Sequence, residues 1–290
     1  MARHSGIGLT VSRRHVIDRR LQMLADIRGI MDSIKTLAHM ETQRLAPVLP
    51  VQQLCVQRVR QMAADFASEH ALPALNGRAE NPLLIVIGAE RGLCGDFNKQ
   101  MQEALEHLPA TAAPRAIVCL GTRLGQKLEG RPGLLAQLSG ATIADDVPAV
   151  IRQLLERCAA LQSEQHLPSL ALLYHGAGDE GIRLDPLLSP FLEADRVAPR
   201  APLLLNLEPQ VFVHGLLQQY LHTVLLHACY SSLLAENRKR VAHLENAVTH
   251  LDEEHDRLEH KRNRLYQEDI IAELEIILVA DQSTGEFVRR

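Results

Sequence analysis

Tryptophan is absent from this 290-residue chain, and all aromatic residues together make up only 3% of it. Proteins that hold single-stranded nucleic acid stack the bases on aromatic side chains, so this scarcity argues against such a surface. An excess of basic charge is absent too, since the formal net charge is −4. A general phosphate-binding surface is therefore not expected. The remaining composition, 46% hydrophobic and 23% charged, is that of a globular protein of one or two domains.

Cysteine is sparse as well. The five cysteines are scattered, odd in number and never spaced as CxxC. This pattern is typical of reduced thiols in a cytoplasmic compartment, and not of a disulfide framework or a zinc site. No apolar run approaches 18 residues, and the N-terminus lacks the apolar core of a secretory signal. The sequence therefore predicts neither a membrane span nor secretion.

Proline and glycine, which break helices, are nearly missing from the last quarter of the chain. No proline follows Pro209, and no glycine lies between Leu216 and Thr284. Because such residues cost roughly 1 (Gly) to 3 (Pro) kcal/mol in a helix interior, we predict one long helix over 206–286, capped by Asn206. At 1.5 Å per residue it would be about 100 Å long, which exceeds any domain this chain could build, and we expect it to project.

The predicted helix carries the heptad seam of a coiled coil. Three polar residues, Asn237, His255 and Arg262, interrupt the seam and are predicted to mark either loose pairing or places where the long helix stands alone. Charged residues, among them Glu236, Lys239 and Arg240, occupy the other faces of the helix. The apolar seam positions are Leu234, Val241, Leu244, Val248, Leu251, Leu258 and Leu265.

A second long helical segment is predicted near the N-terminus. Residues 1–16 are interpreted as a loose basic tail, and 17–72 as a helical arm. Apolar residues at helical spacing give this arm a wide stripe that suits packing along the C-terminal helix. Pro47 and Pro50 are expected to kink or end its first helix, and a further helical pattern follows them. A linker rich in proline and glycine then leads to residue 82.

The middle of the chain, 82–205, is built differently, because all fourteen prolines lie between Pro47 and Pro209. Short apolar runs predict strands buried on both faces of a sheet, and helical patterns alternate with them. The predicted fold class is therefore α/β: a long antiparallel coiled coil of N- and C-terminal helices with an inserted, Rossmann-like α/β domain. The predicted strands are Leu83–Gly88, Arg115–Gly121, Leu170–Tyr174 and Ala201–Leu205, and the helices between them are about Phe97–His107, Thr122–Glu129 and Val147–Leu161.

The most conspicuous local motif is GAERGLCGDFN, which runs from Gly88 to Asn98 directly after the first strand. Loops at the carboxyl ends of such strands are favoured binding places. The glycines do not have the GxGxxG spacing, no Gly-Lys-Ser/Thr follows, and GLCG is one residue short of a nucleophile elbow. From the residues alone, both a functional loop and a strand-to-helix turn with Cys94 as a packed residue stay open.

Histidines crowd the long C-terminal helix among many glutamates. His250 and Glu254 are four residues apart on one helical face and could share a metal. No HExxH occurs, however, and charged residues on a long helix usually form a solvated face. The residues show no catalytic triad and no carboxylate pair, so they do not indicate an active site.

Three separated stretches carry a resemblance to a known family. They are MDSIKTLA (31–38) within the N-terminal helix, VIGAERGLCGDFN (86–98), and NRLYQEDIIAEL (263–274) near the C-terminus. These resemble the gamma subunit of F-type ATP synthases, whose motifs read DRGLCGxxN and NxxRQxxITxEL. Order, spacing and the helix–domain–helix plan are similar over nearly the whole chain. The matching loop residues are Arg91, Gly92, Leu93, Cys94, Gly95 and Asn98.

The resemblance also implies residues that contact other subunits. These are Ile34 and Lys35 on the N-terminal helix and Tyr266, Gln267 and Ile271 on the C-terminal helix. In that family the last three positions touch a catch loop of the catalytic beta subunit. Here Tyr266 stands where the family usually has Arg, and Ile271 where it has Thr, so two hydrogen-bonding groups are missing. The N-terminal helix is more similar to a divergent branch of alternative, sodium-translocating F-type ATPases.

A gamma subunit would be a central rotor shaft that performs no chemistry and carries no cofactor or metal. Its partners would be the ring of alpha and beta subunits, the epsilon subunit and the membrane c-ring, at the cytoplasmic face of the cell membrane and without insertion into it. Two other classes stay open. One is a coiled-coil adaptor with an α/β recognition domain, and the other is an α/β enzyme that uses Cys94 as its nucleophile.

Overall fold

A computed structural model describes residues 4–70, 82–109, 114–165, 169–188, 191 and 204–287. None of the helices in these ranges has an apolar stretch long enough to cross a membrane. The helices are α1 (His4–Leu45), α2 (Val48–Glu69), α3 (Phe97–Glu106), α4 (Thr122–Leu128), α5 (Val147–Gln165) and α6 (Pro209–Phe287), and the strands are β1 (Leu83–Ile87), β2 (Ala116–Leu120), β3 (Leu134–Leu138), β4 (Leu170–His175) and β5 (Ile182–Pro186).

The chain divides into two compact units, and α1 and α6 each contribute to both. One unit consists of Met1–Thr36 with Leu244–Arg290, and the other is Leu37–His243. We refer to them as the helical unit and the sheet unit. The predicted fold class is confirmed, since long terminal helices flank an inserted, mainly parallel sheet. The 79 residues of α6 extend over the segment in which proline and glycine are scarce.

In the helical unit, α1 and α6 pack antiparallel through the predicted seam. Ile17 and Leu21 form an apolar cluster with Leu258 and Leu265. Ion pairs follow the same antiparallel order along the two helices. Arg20 lies 3.4 Å from Glu254, and Arg28 lies 2.6 Å from Asp252. Because these pairs are largely exposed and screened by solvent, they contribute little, and the apolar seam supplies most of the stability.

The N-terminal boundary of α1 differs from the prediction. The helix begins at His4, inside the segment 1–16 that was interpreted as a loose tail. The prediction of a loose tail is therefore wrong from His4 onward, where the backbone is helical. Gly6 and Gly8 lower helix propensity by only about 1 kcal/mol each, and without a proline nothing forces the helix to end. Pro47 acts as predicted, because α1 ends at Leu45 and Pro47 occupies the N-cap position of α2. Pro50 does not end a helix, since it lies in the first turn of α2, where proline is tolerated.

The sheet in the second unit has the order β3-β2-β1-β4-β5, and only β5 is antiparallel to its neighbour. β1 is therefore central, between β2 and β4. Its five residues are all buried, as a strand covered on both faces should be. Alternate residues of β1 face two different cores. Leu83, Ile85 and Ile87 pack with α2, α5 and α6, whereas Leu84 and Val86 pack with α3 and α4.

Two strands were not predicted, and one predicted strand does not form where the chain is described. β3 and β5 lie at the edges of the sheet and are only partly buried, so they lack the continuous apolar runs that reveal the central strands. Of the predicted strand Ala201–Leu205, residues 201–203 lie outside the described ranges. Leu204 and Leu205 are not in a strand, and the Leu204 side chain is 93% exposed. An apolar run alone was insufficient evidence there.

Candidate functional site

The loop between β1 and α3 contains the motif that the sequence singled out. Two of its residues have positive φ angles, Leu93 at 63° and Gly95 at 58°. Glycine adopts this conformation easily, whereas leucine does so at a cost. The buried Asn98 side chain accepts a hydrogen bond from the backbone N–H of Ala89 at 2.9 Å. Asn98 thus ties the start of α3 back to the start of the loop and fixes its curvature.

The first glycine of the loop is required by close packing against α4. A Cβ atom on Gly88 would lie 2.2 Å from the Cβ of Leu124, a distance that no side chain can tolerate. Gly121 lies beside it at φ 112°, and a Cβ there would come within 2.5 Å of the Gly88 carbonyl oxygen. The ends of β1 and β2 therefore approach each other too closely for any residue but glycine.

Glu90 connects the loop to the next two strand ends. Its carboxylate accepts hydrogen bonds from the backbone N–H and hydroxyl of Thr122, at 2.8 and 2.7 Å, and from the N–H of Gly140 at 2.7 Å. Partial burial by itself raises the pKa of the Glu90 carboxyl, but the hydrogen bonds from Thr122 and Gly140 outweigh it and lower that pKa. The side chain is thus an ionised link between three loops at one edge of the sheet.

The loop is held on its other side by α6, through a group that we call the Arg240 clamp. It consists of Glu236, Asn237 and Arg240 together with the carbonyl oxygens of Arg91 and Gly92. Arg240 donates to these two oxygens at 3.3 and 3.2 Å, to the Asn237 side chain at 2.8 Å, and to the carboxylate of Glu236. The three α6 side chains are at most 6% exposed. A buried charged pair of this kind holds the loop in a single position on the helix.

The loop interacts with both charged side chains of the clamp, Glu236 and Arg240. Burial raises the pKa of the Glu236 carboxyl, while Arg240 and the backbone N–H groups of Arg91 and Glu90 act in the opposite direction. The N–H groups of the loop thus favour the charged form of the acidic residue, and the carbonyl oxygens of the loop accept hydrogen bonds from the basic one. This arrangement satisfies both charges, as buried charges require.

An exposed ion pair lies beside the buried clamp. Lys239 approaches Asp96 at 2.7 Å and the side-chain oxygen of Gln100 at 2.8 Å. The hydrogen bond from Lys239 lowers the pKa of the Asp96 carboxyl. Because both side chains are partly exposed, this pair contributes less than the clamp.

The crevice where an open α/β sheet usually binds a ligand is filled by protein side chains. That crevice lies where the strand order reverses, here between β1 and β4. His175, at the end of β4, stacks on Phe97 with 3.9 Å between ring centroids and donates from Nε2 to the Phe97 carbonyl oxygen at 3.1 Å. Burial lowers the pKa of His175 to about 4, so the ring is neutral near pH 7. His175 and Phe97 therefore occupy the crevice at the end of β4 by packing on each other.

Cys94 is placed as a packed residue. Its side chain is 5% exposed, in a cluster with Ala89, Phe97 and Ala235. Burial raises the pKa of its thiol, and its sulfur lies 3.7 Å from the carbonyl oxygen of Arg91. A nucleophilic cysteine needs an accessible thiolate with a lowered pKa. The geometry therefore disfavours the enzyme hypothesis and agrees with the strand-to-helix turn.

Sequence reasoning found the loop but missed its partner on α6. The loop residues Arg91, Gly92, Cys94, Gly95 and Asn98 lie between β1 and the first turn of α3. Glu236 and Arg240, however, had been placed on the charged outer faces of the helix, and that interpretation is wrong for both. Asn237 is likewise no loose position, since it is 3% exposed and donates to the Leu233 carbonyl oxygen at 3.0 Å. Only the i, i+4 spacing of Glu236 and Arg240 could have suggested a pair.

The predicted subunit-contact residues lie in the other unit. Ile34 and Lys35 are half-buried on α1, where the Lys35 ammonium is 3.0 Å from Asp32. On α6, Gln267 is exposed, and Tyr266 and Ile271 are 50% and 56% exposed. The guanidinium carbon of Arg14 lies 5.0 Å from the centre of the Tyr266 ring, within range of a cation–π contact.

A possible metal-binding group on α6 differs from the predicted pair of His250 and Glu254, and it contains one histidine and two carboxylates. His250 lies 3.5 Å from Glu253 and is mostly exposed. Three other side chains, His255, Asp256 and Glu259, bring one ligand atom each within 4.8 Å of one another. Glu259 also pairs with Arg262 at 3.3 Å, so a cation already competes for this carboxylate. Because the cluster is partly exposed and one of its carboxylates is already paired, we do not assign a metal to it.

Comparisons with known proteins agree on one family. The family model for ATP synthase matches residues 14–281. The ATP synthase gamma chain of Maricaulis maris (strain MCS10) is 24% identical over 294 residues, which cover 90% of this chain and 96% of that one.

Solved structures show the same fold at 14% identity. The rotor of the Euglena gracilis mitochondrial ATP synthase in rotational state 1 has a TM-score of 0.61 and covers 89% of this chain and 99% of its own. A chain of the Euglena OSCP/F1/c-ring structure in rotational state 3 also scores 0.61, with 96% and 97% covered. A chain of the Tetrahymena thermophila central stalk and c-ring scores 0.55, with 75% and 99% covered. With the family model matching most of its length, the chain belongs to the family of ATP synthase gamma chains.

Proposed function

We propose that this chain is the central rotor shaft of an F-type ATP synthase and makes no catalytic contribution of its own. It would couple ion flow through the membrane c-ring to conformational cycling of the catalytic beta subunits. The observation that carries this proposal is the family match over residues 14–281, which includes both long helices and the inserted sheet. The partners are then an alpha–beta ring, an epsilon subunit and a c-ring, and the chain is a peripheral component at the cytoplasmic face of the membrane.

The structural features suit transmission of torque. The Arg240 clamp fixes the sheet to α6 through a buried ion pair, and α6 continues without a break to Phe287. In the helical unit α6 pairs with α1, and two packed helices resist twisting and bending better than one. A turning asymmetric shaft presents different faces to each beta subunit and so shifts the population of its open and closed forms.

The adaptor hypothesis explains fewer observations. An adaptor needs a recognition surface on its α/β domain, but the crevice at the sheet edge is filled by Phe97 and His175. An adaptor also has no need for a buried charged joint between its domain and its coiled coil. The rotor proposal accounts for the clamp, since torque would otherwise be lost where the sheet meets the helix.

The contact with a beta subunit is proposed at Tyr266, Gln267 and Ile271, with Ile34 and Lys35 contacting the ring from α1. Tyr266 cannot make the forked, charged contact of an arginine. Arg14 places a guanidinium over the Tyr266 ring, so a cation is nevertheless present at this position. Resemblance to the sodium-translocating branch stays a prediction, because the shaft does not bind the coupling ion.

The experiment is co-expression of the chain with alpha, beta and epsilon subunits from the same genome. We expect a complex of fixed stoichiometry whose ATP hydrolysis turns a bead attached to the sheet unit. A chain that purifies alone, with no ATPase subunits bound under any tested condition, would contradict the rotor proposal.

The beta contact is tested in the same complex by Gln267→Ala. A neutral hydrogen bond contributes about 0.5–1.5 kcal/mol, so we expect ATPase turnover to fall only modestly. Gln57→Ala, at an exposed position of α2, is the matched control and should leave turnover unchanged. Tyr266→Arg should strengthen the contact where the beta loop carries a carboxylate. A complete loss of turnover in Gln267→Ala would show that the contact depends on this residue far more than we propose.

A further inference from the structure

A small cavity is lined in part by Glu236 of the Arg240 clamp. Its volume is about 20 Å³, and it is bounded by the ends of β1 and β2, by Gly140, and by a stretch of α6 from Cys229 to Glu236. A cavity needs roughly 10–15 Å³ to accept one water molecule. The space is therefore large enough for one water and too small for any larger ligand.

The lining of this cavity is partly polar. Ser232 is 2% exposed, and its hydroxyl has no hydrogen-bond partner among the protein atoms of the described ranges. Glu236 follows one helical turn later and lines the same cavity, as do Gly88 and Gly140. Residues four positions apart lie on one face of a helix, so the hydroxyl and the carboxylate border the space from the same side.

A buried hydroxyl without a partner is costly, and polar cavities of this size are normally hydrated, whereas apolar ones stay dry. We propose that the cavity is a binding site for a single water molecule. The water accepts a hydrogen bond from the Ser232 hydroxyl and donates one to the carboxylate of Glu236.

The water extends the clamp by one further hydrogen bond. One oxygen of Glu236 accepts from Arg240, and the carboxylate also faces the N–H groups of Glu90 and Arg91. The water adds a donor to this carboxylate from the cavity that Glu236 lines. Ser232 is thereby a positioning residue of the clamp, acting through the water. This inference does not depend on the rotor proposal.

Thermal unfolding of the full chain tests the proposal through a matched pair of serines. Ser231 precedes Ser232, is 0% exposed, and likewise has a hydroxyl without a protein partner, but it does not line the cavity. Ser231→Ala and Ser232→Ala gain the same helix propensity, so this effect cancels between them. With a bound water, Ser232→Ala should lower Tm by about 2–5 °C relative to Ser231→Ala.

A third variant gives opposite signs for a wet and a dry cavity. Ser232→Val fills the space with a methyl group, so it should expel the water and lower Tm below that of Ser232→Ala by more than the roughly 1–2 °C that the lower helix propensity of valine accounts for. In a dry cavity the same methyl group would improve packing, and both Ser232 variants would match or exceed Ser231→Ala in Tm. That result overturns the proposal.

A direct observation complements the unfolding data and does not depend on the folding of a variant. In a crystal or cryo-EM structure that resolves ordered waters, we expect one density peak within about 2.7–3.0 Å of both the Ser232 hydroxyl oxygen and a Glu236 carboxylate oxygen. Well-ordered side chains with no such peak would refute the site.

Discussion

Replacing Arg240 with methionine removes the centre of the clamp while keeping a side chain of similar length. Four hydrogen bonds are lost: those to the carbonyl oxygens of Arg91 and Gly92, to the side chain of Asn237 and to the carboxylate of Glu236. Glu236 then stays buried as an uncompensated charge. Breaking a buried pair by removing one partner costs about 3–5 kcal/mol, and we expect the free energy of unfolding to fall by that amount.

The matched control is Lys239→Met on the same turn of α6. It forms an ion pair with Asp96 at 2.7 Å, but both side chains are partly exposed. Exposed pairs contribute about 0–1 kcal/mol, so this variant should be several times milder. Both variants remove one positive charge, but Arg240→Met removes a buried group with four hydrogen bonds and Lys239→Met a partly exposed one with two. Their difference therefore measures what the buried clamp adds over a surface ion pair.

Urea unfolding followed by circular dichroism gives the free energies, and hydrogen exchange localises the effect. In Arg240→Met the amides of residues 88–96 should lose protection before those of the central strands. The double variant Glu236→Gln, Arg240→Met removes the stranded charge and should recover part of the loss. Equal destabilisation by Arg240→Met and Lys239→Met would refute the argument, since it would mean that the buried pair contributes no more than a surface pair.

Three other predictions concern single sites. Burial lowers the pKa of His175 to about 4, so between about pH 6.5 and 4 the unfolded chain binds a proton at His175 and the folded chain does not. The free energy of unfolding therefore falls as pH falls through this window. His175→Gln should remove up to about 3 kcal/mol of that fall, as measured by urea unfolding at each pH. Gly88→Ala should lower the free energy of unfolding by about 1–3 kcal/mol or more, because the added Cβ would overlap the side chain of Leu124. Gly29→Ala, at a position in the middle of α1 with no atom near the added Cβ, should raise it by about 0.5–1 kcal/mol in the same assay. Val248→Pro should abolish ATP-driven ion pumping in vesicles that carry the assembled complex, because proline kinks α6 at a cost of about 3 kcal/mol or more. Val248→Ala is the control and should still pump. Normal pumping by the proline variant would count against the shaft role.

Regular elements were predictable where one residue property repeats along the chain. The length of α6 follows from a segment nearly without helix breakers, and its pairing in the helical unit follows from the heptad seam that contains Leu258 and Leu265. The central strands β1, β2 and β4 follow from continuous apolar runs. The edge strands β3 and β5 were missed because half-buried strands have no such run.

The candidate site divides in the same way. The loop from Gly88 to Asn98 stood out by its glycines, and its placement after a strand suggested a binding role. The sequence could not show that Phe97 and His175 fill the crevice, because His175 is 78 residues away along the chain. Nor could it show that Cys94 is buried, since burial depends on which helix covers the loop.

The sequence by itself determined the helices, the central strands, the antiparallel seam of the helical unit and the family. These features follow from local periodicity and from short motifs, and both can be identified in a segment of sequence without knowing how the rest of the chain folds. Only the tertiary structure decided the fate of Glu236 and Arg240. On the helix they are an ordinary i, i+4 pair that water could solvate. The carbonyl oxygens that bury Arg240 belong to residues 148 and 149 positions earlier, and only the packed sheet brings them to α6.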